Sequence, residues 1–148
     1  MAMVMSGEQQ LAAPREKVWA MLIDPEVLKA CIPGCESLEV IGENEFSAVA
    51  MNKIGPVKAR FKGKVRLTDI DPPNGYKISG EGDGGVAGFA KGGASVSLSD
   101  KDGGTLLTYN VEAQIGGKLA QLGQRLVNGA AKKLADDFFV RFAAAVQK

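Results

Sequence analysis

Val57-Lys58-Ala59-Arg60-Phe61-Lys62-Gly63-Lys64-Val65-Arg66-Leu67 decides the reading of this chain. Val57, Ala59, Phe61, Val65 and Leu67 alternate with Lys58, Arg60, Lys62, Lys64 and Arg66. Successive side chains of a strand point to opposite faces, so period two here means one packed face and one basic face. The stretch predicts a half-buried antiparallel strand.

Working outward, the same period recurs. Downstream, Asp71-Pro72-Pro73-Asn74-Gly75 is a turn. Tyr76, Ile78, Gly80 and Gly82 then share one face, with Lys77, Ser79, Glu81 and Asp83 opposite. Gly84-Gly85 turns or bends the chain. Ala94, Val96 and Leu98 alternate with serines, and a hairpin loop from Asp100 to Gly104 leads into Leu107, Tyr109, Val111, Ala113 and Ile115. Upstream, strands are predicted over Ser37–Ile41 and Phe46–Ile54, the latter ended by Gly55-Pro56. Short loops between these runs favour an antiparallel meander.

The N-terminal part differs. Met3–Leu11 reads as a first strand, and Pro14 suits the first position of a helix over Arg15–Ile23. Asp24-Pro25 is an N-cap and N1 pair opening a second short helix, which Pro33-Gly34 ends. At Gly117 the period changes to that of a helix. One helix from Gly117 to about Val146 would extend roughly 45 Å at 1.5 Å per residue. Its stripe is Leu119, Gly123, Val127, Ala130, Leu134, Phe138 and Ala145, and Asp137 and Arg141 are spaced to pair.

The expected fold class is therefore α+β. A curved antiparallel sheet of about seven strands wraps a long C-terminal helix, with two short helices after the first strand. One domain spans residues 1–148.

Composition narrows the function. Charged residues are 24% and net charge is +1, a balance that does not point to nucleic acid. With no His, the commonest general base and metal ligand is missing, and two Cys alone cannot complete a zinc site. No run reaches the ~20 apolar residues of a membrane span. Met1-Ala2-Met3-Val4-Met5 lacks the basic start of a signal peptide, so a cytoplasmic location with reduced thiols is expected. Cys31-Ile32-Pro33-Gly34-Cys35 does not have redox C-x-x-C spacing. Gly80-Glu81-Gly82-Asp83-Gly84-Gly85 lacks the G-K-[ST] ending of a phosphate loop.

Small residues are concentrated on surfaces that should face each other. Ala120, Gly123, Gly129, Ala130 and Ala131 lie on the helix, and Gly80, Gly82, Gly85, Gly88, Gly92 and Gly93 on the strands. Facing small residues either bring backbones together, with bulges at the glycines, or leave a void. A void here would be apolar. Its expected walls are Phe61, Val65, Phe89, Val96, Tyr109 and Val111 from the sheet, and Leu119, Leu122, Leu126, Ala130 and Leu134 from the helix. Tyr109 would supply a polar handle. Glu81 and Glu112 are predicted to face outward, so no paired acid and base and no catalytic residue is expected.

Two surfaces are candidates for contact. Lys58, Arg60, Lys62, Lys64 and Arg66 could meet anionic headgroups or an acidic partner, or simply form a solvated face paired with Glu81 and Asp83. Phe139 and Val140 either cover the first strands or meet a membrane or partner.

The chain resembles the carbon monoxide dehydrogenase G-subunit family, part of the START-like (SRPBCC), birch-pollen-allergen-like superfamily. The resemblance covers nearly the whole chain. It rests on Cys31-Ile32-Pro33-Gly34-Cys35-Glu36, on Gly88-Phe89-Ala90-Lys91-Gly92, on Gly116-Gly117-Lys118-Leu119-Ala120-Gln121-Leu122-Gly123, and on Arg125-Leu126. It implies a helix-grip fold and an accessory protein that serves a molybdenum hydroxylase of the carbon monoxide dehydrogenase type at the cytoplasmic face of the membrane. It also implies a ligand cavity under the long helix, for which a quinone or lipid is a suitable occupant, with no covalent cofactor and no metal. Two other readings remain: a structural recruitment protein without a ligand, and an enzyme, since some START-like relatives are cyclases or hydrolases. Many members of the family continue into a variable tail. Here the sequence reads to Lys148, so membrane contact is expected from the domain itself.

Overall fold

The computed structural model describes residues 1–147. The alternating stretch lies in the longest strand, and the elements follow in the predicted order. Strand β1 (Ala2–Leu11) leads into helices α1 (Arg15–Leu22) and α2 (Pro25–Cys31). Strands β2 (Cys35–Gly42), β3 (Glu45–Ile54), β4 (Val57–Asp71), β5 (Gly75–Asp83), β6 (Phe89–Lys101) and β7 (Gly104–Gly116) come next. A 3-10 turn at Gly85–Ala87 joins β5 to β6, and α3 (Lys118–Gln121) and α4 (Gln124–Val146) end the chain.

Local chemistry accounts for the boundaries. The Asp24 side chain accepts a hydrogen bond of 2.9 Å from the Glu26 backbone N–H, and Pro25 follows it, so α2 starts where its N-cap dictates. Every neighbouring strand pair is antiparallel, in the order β1-β7-β6-β5-β4-β3-β2. Six strands form a meander through short loops. The first strand joins at the far edge beside the last, and α1 and α2 carry the chain between the two edges. Seven antiparallel strands bent around a long C-terminal helix make a helix-grip fold.

The predicted single helix from Gly117 is interrupted. Gly123 takes φ 91°, a left-handed backbone conformation that L side chains rarely adopt, and separates α3 from α4. Thus α4 has 23 residues, roughly 34 Å at 1.5 Å per residue. The most deeply buried residues of α4 are Val127, Phe139, Phe142 and Val146, while Phe138 and Ala145 of the expected stripe are half-buried against the same core. Asp137 pairs back with Lys133 at 4.0 Å instead of forward with Arg141.

Two apolar clusters form the core. The larger joins α1, α2 and the C-terminal half of α4 to the sheet through Trp19, Tyr76, Val96, Leu107, Tyr109 and Phe142. Phe142 is fully enclosed, and burial of such a side chain contributes about 1.5–3 kcal/mol. Within this region Thr105 Oγ1 donates to the Ala13 carbonyl at 2.7 Å, which satisfies a buried hydroxyl. The smaller cluster holds Met3, Ile115, Leu119 and Val127 at the other end of the sheet. Bulky side chains fill one end of the grip. The other is thinly filled.

A hollow between the sheet and the C-terminal helices

The thin end follows directly from side-chain size. Across adjacent strands, Gly82 lies opposite Ala90, and Ala90 opposite Ile115. Ala130 and Ala131 come down from α4 onto this row. At Gly82 an added Cβ would meet no atom within 4 Å. Where the larger cluster places Tyr76, Val96 and Tyr109, this end offers glycine and alanine. The result is a hollow of about 290 Å³ between sheet and helices.

Phe61, Ile54, Ile115 and Met3 wall it from the sheet, with Ala90 and Ala113 between them. Leu119 of α3 and Val127 and Leu134 of α4 roof it. Asn52 of β3 is its one polar side chain. Among the described residues, no carboxylate lines it. A buried cavity of about 150 Å³ is enough to take up benzene, so this space suits one or two fused rings. Larger depressions of about 730 and 700 Å³ lie on the outer face of the sheet, among side chains such as Lys77, Asn110 and Glu112, or Lys62 and Asp83. Those are polar surfaces. The hollow under the helix has the apolar walls and single polar group of a small-molecule site.

Of the residues expected as walls, Phe61, Leu119, Ala130 and Leu134 line this hollow. Val65, Val96 and Tyr109 belong to the filled end, and Val111 touches both clusters. Tyr109 is not the polar handle: its ring is buried and stacked on Phe139. Leu122 packs in the smaller cluster without lining the space. Leu126 covers Gly55, where an added Cβ would sit 3.1 Å from its methyl carbons. Phe89 is a correction. It is 48% exposed on the outer face, because Ala90 is the residue of that strand that faces the helix. The Gly88 backbone at φ 115° presses against Gly116 as the chain enters β6. Asn52 was missed, although it shares a face with Ala48, Ala50 and Ile54 by simple alternation.

The basic stripe lies on the outer face as expected, but its pairing differs. Arg60 binds Glu36 through two hydrogen bonds, at 2.5 and 3.1 Å, and Arg66 binds Glu45. The Arg60 guanidinium holds the Glu36 carboxyl below its ordinary range. Lys62 lies opposite Asp83, and Lys64 opposite Glu81, on adjacent strands. Even so, Lys58, Lys62 and Lys64 form no ion pair among the described residues. Phe139 is a second correction. It is 9% exposed and packed inward, so it is no surface anchor, whereas its neighbour Val140 is 72% exposed. Cys31 and Cys35 are free thiols, and burial pushes both above the ordinary thiol value. Among the described residues, no helix is long and apolar enough to cross a membrane.

Residues 7–147 match the family of CoxG, the G subunit of carbon monoxide dehydrogenase. The chain belongs to that family. Among solved structures, a conserved protein from Geobacillus kaustophilus is 38% identical, with a TM-score of 0.93 over 98% of this chain and 95% of that one. A START superfamily protein from Mycobacterium smegmatis aligns with a TM-score of 0.75 at 13% identity, covering 97% of both chains. The Zhui aromatase/cyclase from Streptomyces sp. R1128 aligns at 0.71 and 12% identity, over 99% of this chain and 94% of that one. The last two show the START-like fold alone. No curated protein matches the chain.

Proposed function

We propose that this CoxG-family protein is a non-catalytic accessory protein that holds an apolar ring compound under its C-terminal helices. A quinone, or the head of another lipid, is the occupant best suited to the site. The protein serves a molybdenum hydroxylase of the carbon monoxide dehydrogenase type, at the cytoplasmic face of the membrane. The observation that carries the reading is the hollow: about 290 Å³, apolar walls, one polar side chain and no carboxylate. General acid–base chemistry needs a titratable group within reach of the reacting atoms, and the hollow supplies only an amide. Two-electron chemistry in a partner enzyme requires a carrier, and an apolar hollow can keep a lipid-soluble carrier out of water.

Mass spectrometry of an organic extract from gently purified protein tests this. A stoichiometric apolar compound is the expected result. Protein that yields none, and whose melting temperature does not move with added quinones, would refute ligand binding.

A second reading is recruitment without a ligand. Lys62 and Lys64, free of ion pairs among the described residues and beside the exposed Val86 and Phe89, favour an additional role in contacting an anionic surface. The two roles are compatible, since the lysines and the hollow lie on opposite faces of the sheet.

A further inference from the structure

We infer that Asn52 is the residue that selects and orients the ligand, so that the hollow takes a ring bearing a carbonyl or hydroxyl oxygen in preference to a plain hydrocarbon. The inference rests on the hollow being a binding site, as proposed above. Asn52 sits in β3 opposite Ala59 of β4, on the face that carries Ala48, Ala50 and Ile54. An asparagine among alanines and isoleucine is out of pattern for the packed face of a strand. Its amide makes no hydrogen bond to another described residue and stands open to solvent at the hollow, where it offers two donors and an acceptor to an incoming group.

The backbone behind Asn52 is held in place. The turn at Pro33-Gly34 lies against β3, where the Met51 N–H donates to the Gly34 carbonyl at 2.9 Å. Gly34 takes φ 72°, and a Cβ there would lie 2.0 Å from the Met51 carbonyl oxygen and 3.4 Å from Asn52 Oδ1. Only glycine lets the turn approach this closely. Asn52 therefore stands on a braced strand, with its amide against the hollow on one side and the turn on the other. The remaining walls provide no competing donor or acceptor from a side chain. A ring compound then has one orientation that satisfies its oxygen: toward β3, with its apolar body against Gly82, Ala130 and Ala131.

One neutral hydrogen bond in a partly open site corresponds to about tenfold in affinity. The test compares 1-tetralone with its oxygen-free parent tetralin, two compounds of nearly the same shape, by ligand-observed NMR. The readout is the ratio of the two dissociation constants, in the wild type and in Asn52→Leu. In Asn52→Leu the ratio is expected to move about tenfold toward tetralin, with tetralin binding retained. Asn52→Asp, which offers an ionised acceptor and no donor, is expected to weaken 1-tetralone at least as much. Retained tetralin binding also shows that the variants are folded. An unchanged ratio, with both compounds bound, would overturn the role of Asn52 and leave the hollow as a binding site. A wild type that binds neither compound would overturn the binding-site reading, and this inference with it.

Discussion

The ring of Phe139 stacks on that of Tyr109, with centroids 5.2 Å apart and 21° between planes. Phe138 meets Phe139 edge-on at 5.1 Å, and Phe142 stacks on Phe138 at 5.7 Å. The Tyr109–Phe139 stack ties the C-terminal half of α4 to the sheet, and the other two contacts lie within the helix. The N-terminal half roofs the hollow with smaller side chains. Anchor and roof thus belong to one helix.

Phe139→Ala is expected to destabilise the protein by about 3–5 kcal/mol, the range for truncating a buried phenylalanine. Chemical denaturation measures it. A cost under about 0.5 kcal/mol would mean that the ring lies at the surface.

Tyr76 predicts a pH dependence. Its ring is buried edge-on against Trp19 at 5.4 Å, and burial pushes its hydroxyl from 10.0 up to about 12. Below pH 10 the tyrosine is neutral in both states and carries no penalty. Between about 10 and 12 the unfolded chain loses this proton first, so stability falls as pH rises. Denaturation midpoints across that window should fall less steeply in Tyr76→Phe than in the wild type. Equal slopes would remove Tyr76 as the cause.

Much of this arrangement was legible in the sequence, because period two survives wherever one strand face is buried. The basic and apolar alternation from Val57 to Leu67 marks β4, and Asp24-Pro25 marks the start of α2. Alternation could also have shown Asn52 among Ala48, Ala50 and Ile54. What was not legible depended on backbone conformations set by tertiary contact. Glycine inside a helical pattern is normally tolerated, so nothing local announces that Gly123 turns left-handed. Helical period also leaves undecided which of the adjacent Phe138 and Phe139 goes deeper; both pack on the core, and Phe139 takes the place against Tyr109. Phe89 was misplaced for a related reason. The glycine-rich entry to β6 decides which of two adjacent residues faces the helix, and period alone does not.

Gly129 lies mid-helix, exposed, with no atom within 4 Å of where a Cβ would be. Gly129→Ala is expected to raise stability by up to ~1 kcal/mol through helix propensity. A destabilised variant in thermal melts would show that the helix surface is covered at that point.

The lysines free of ion pairs on the outer face predict salt-sensitive contact with anionic membranes. Reversal of Lys62 and Lys64 together, each →Glu, is expected to weaken sedimentation with phosphatidylserine-containing vesicles by at least about tenfold, since each cation near such a surface is worth about 1 kcal/mol. Unchanged binding would exclude this face.

Where an apolar ring settles on this protein decides its function, and amide chemical-shift mapping with 1-tetralone reads that directly. Shifts are expected to concentrate at Asn52, Phe61, Ala90 and Ala113 and along residues 130–134 of α4. Shifts confined to the outer face around Lys77, Ser95 and Asn110, or none at saturating ligand, would contradict it.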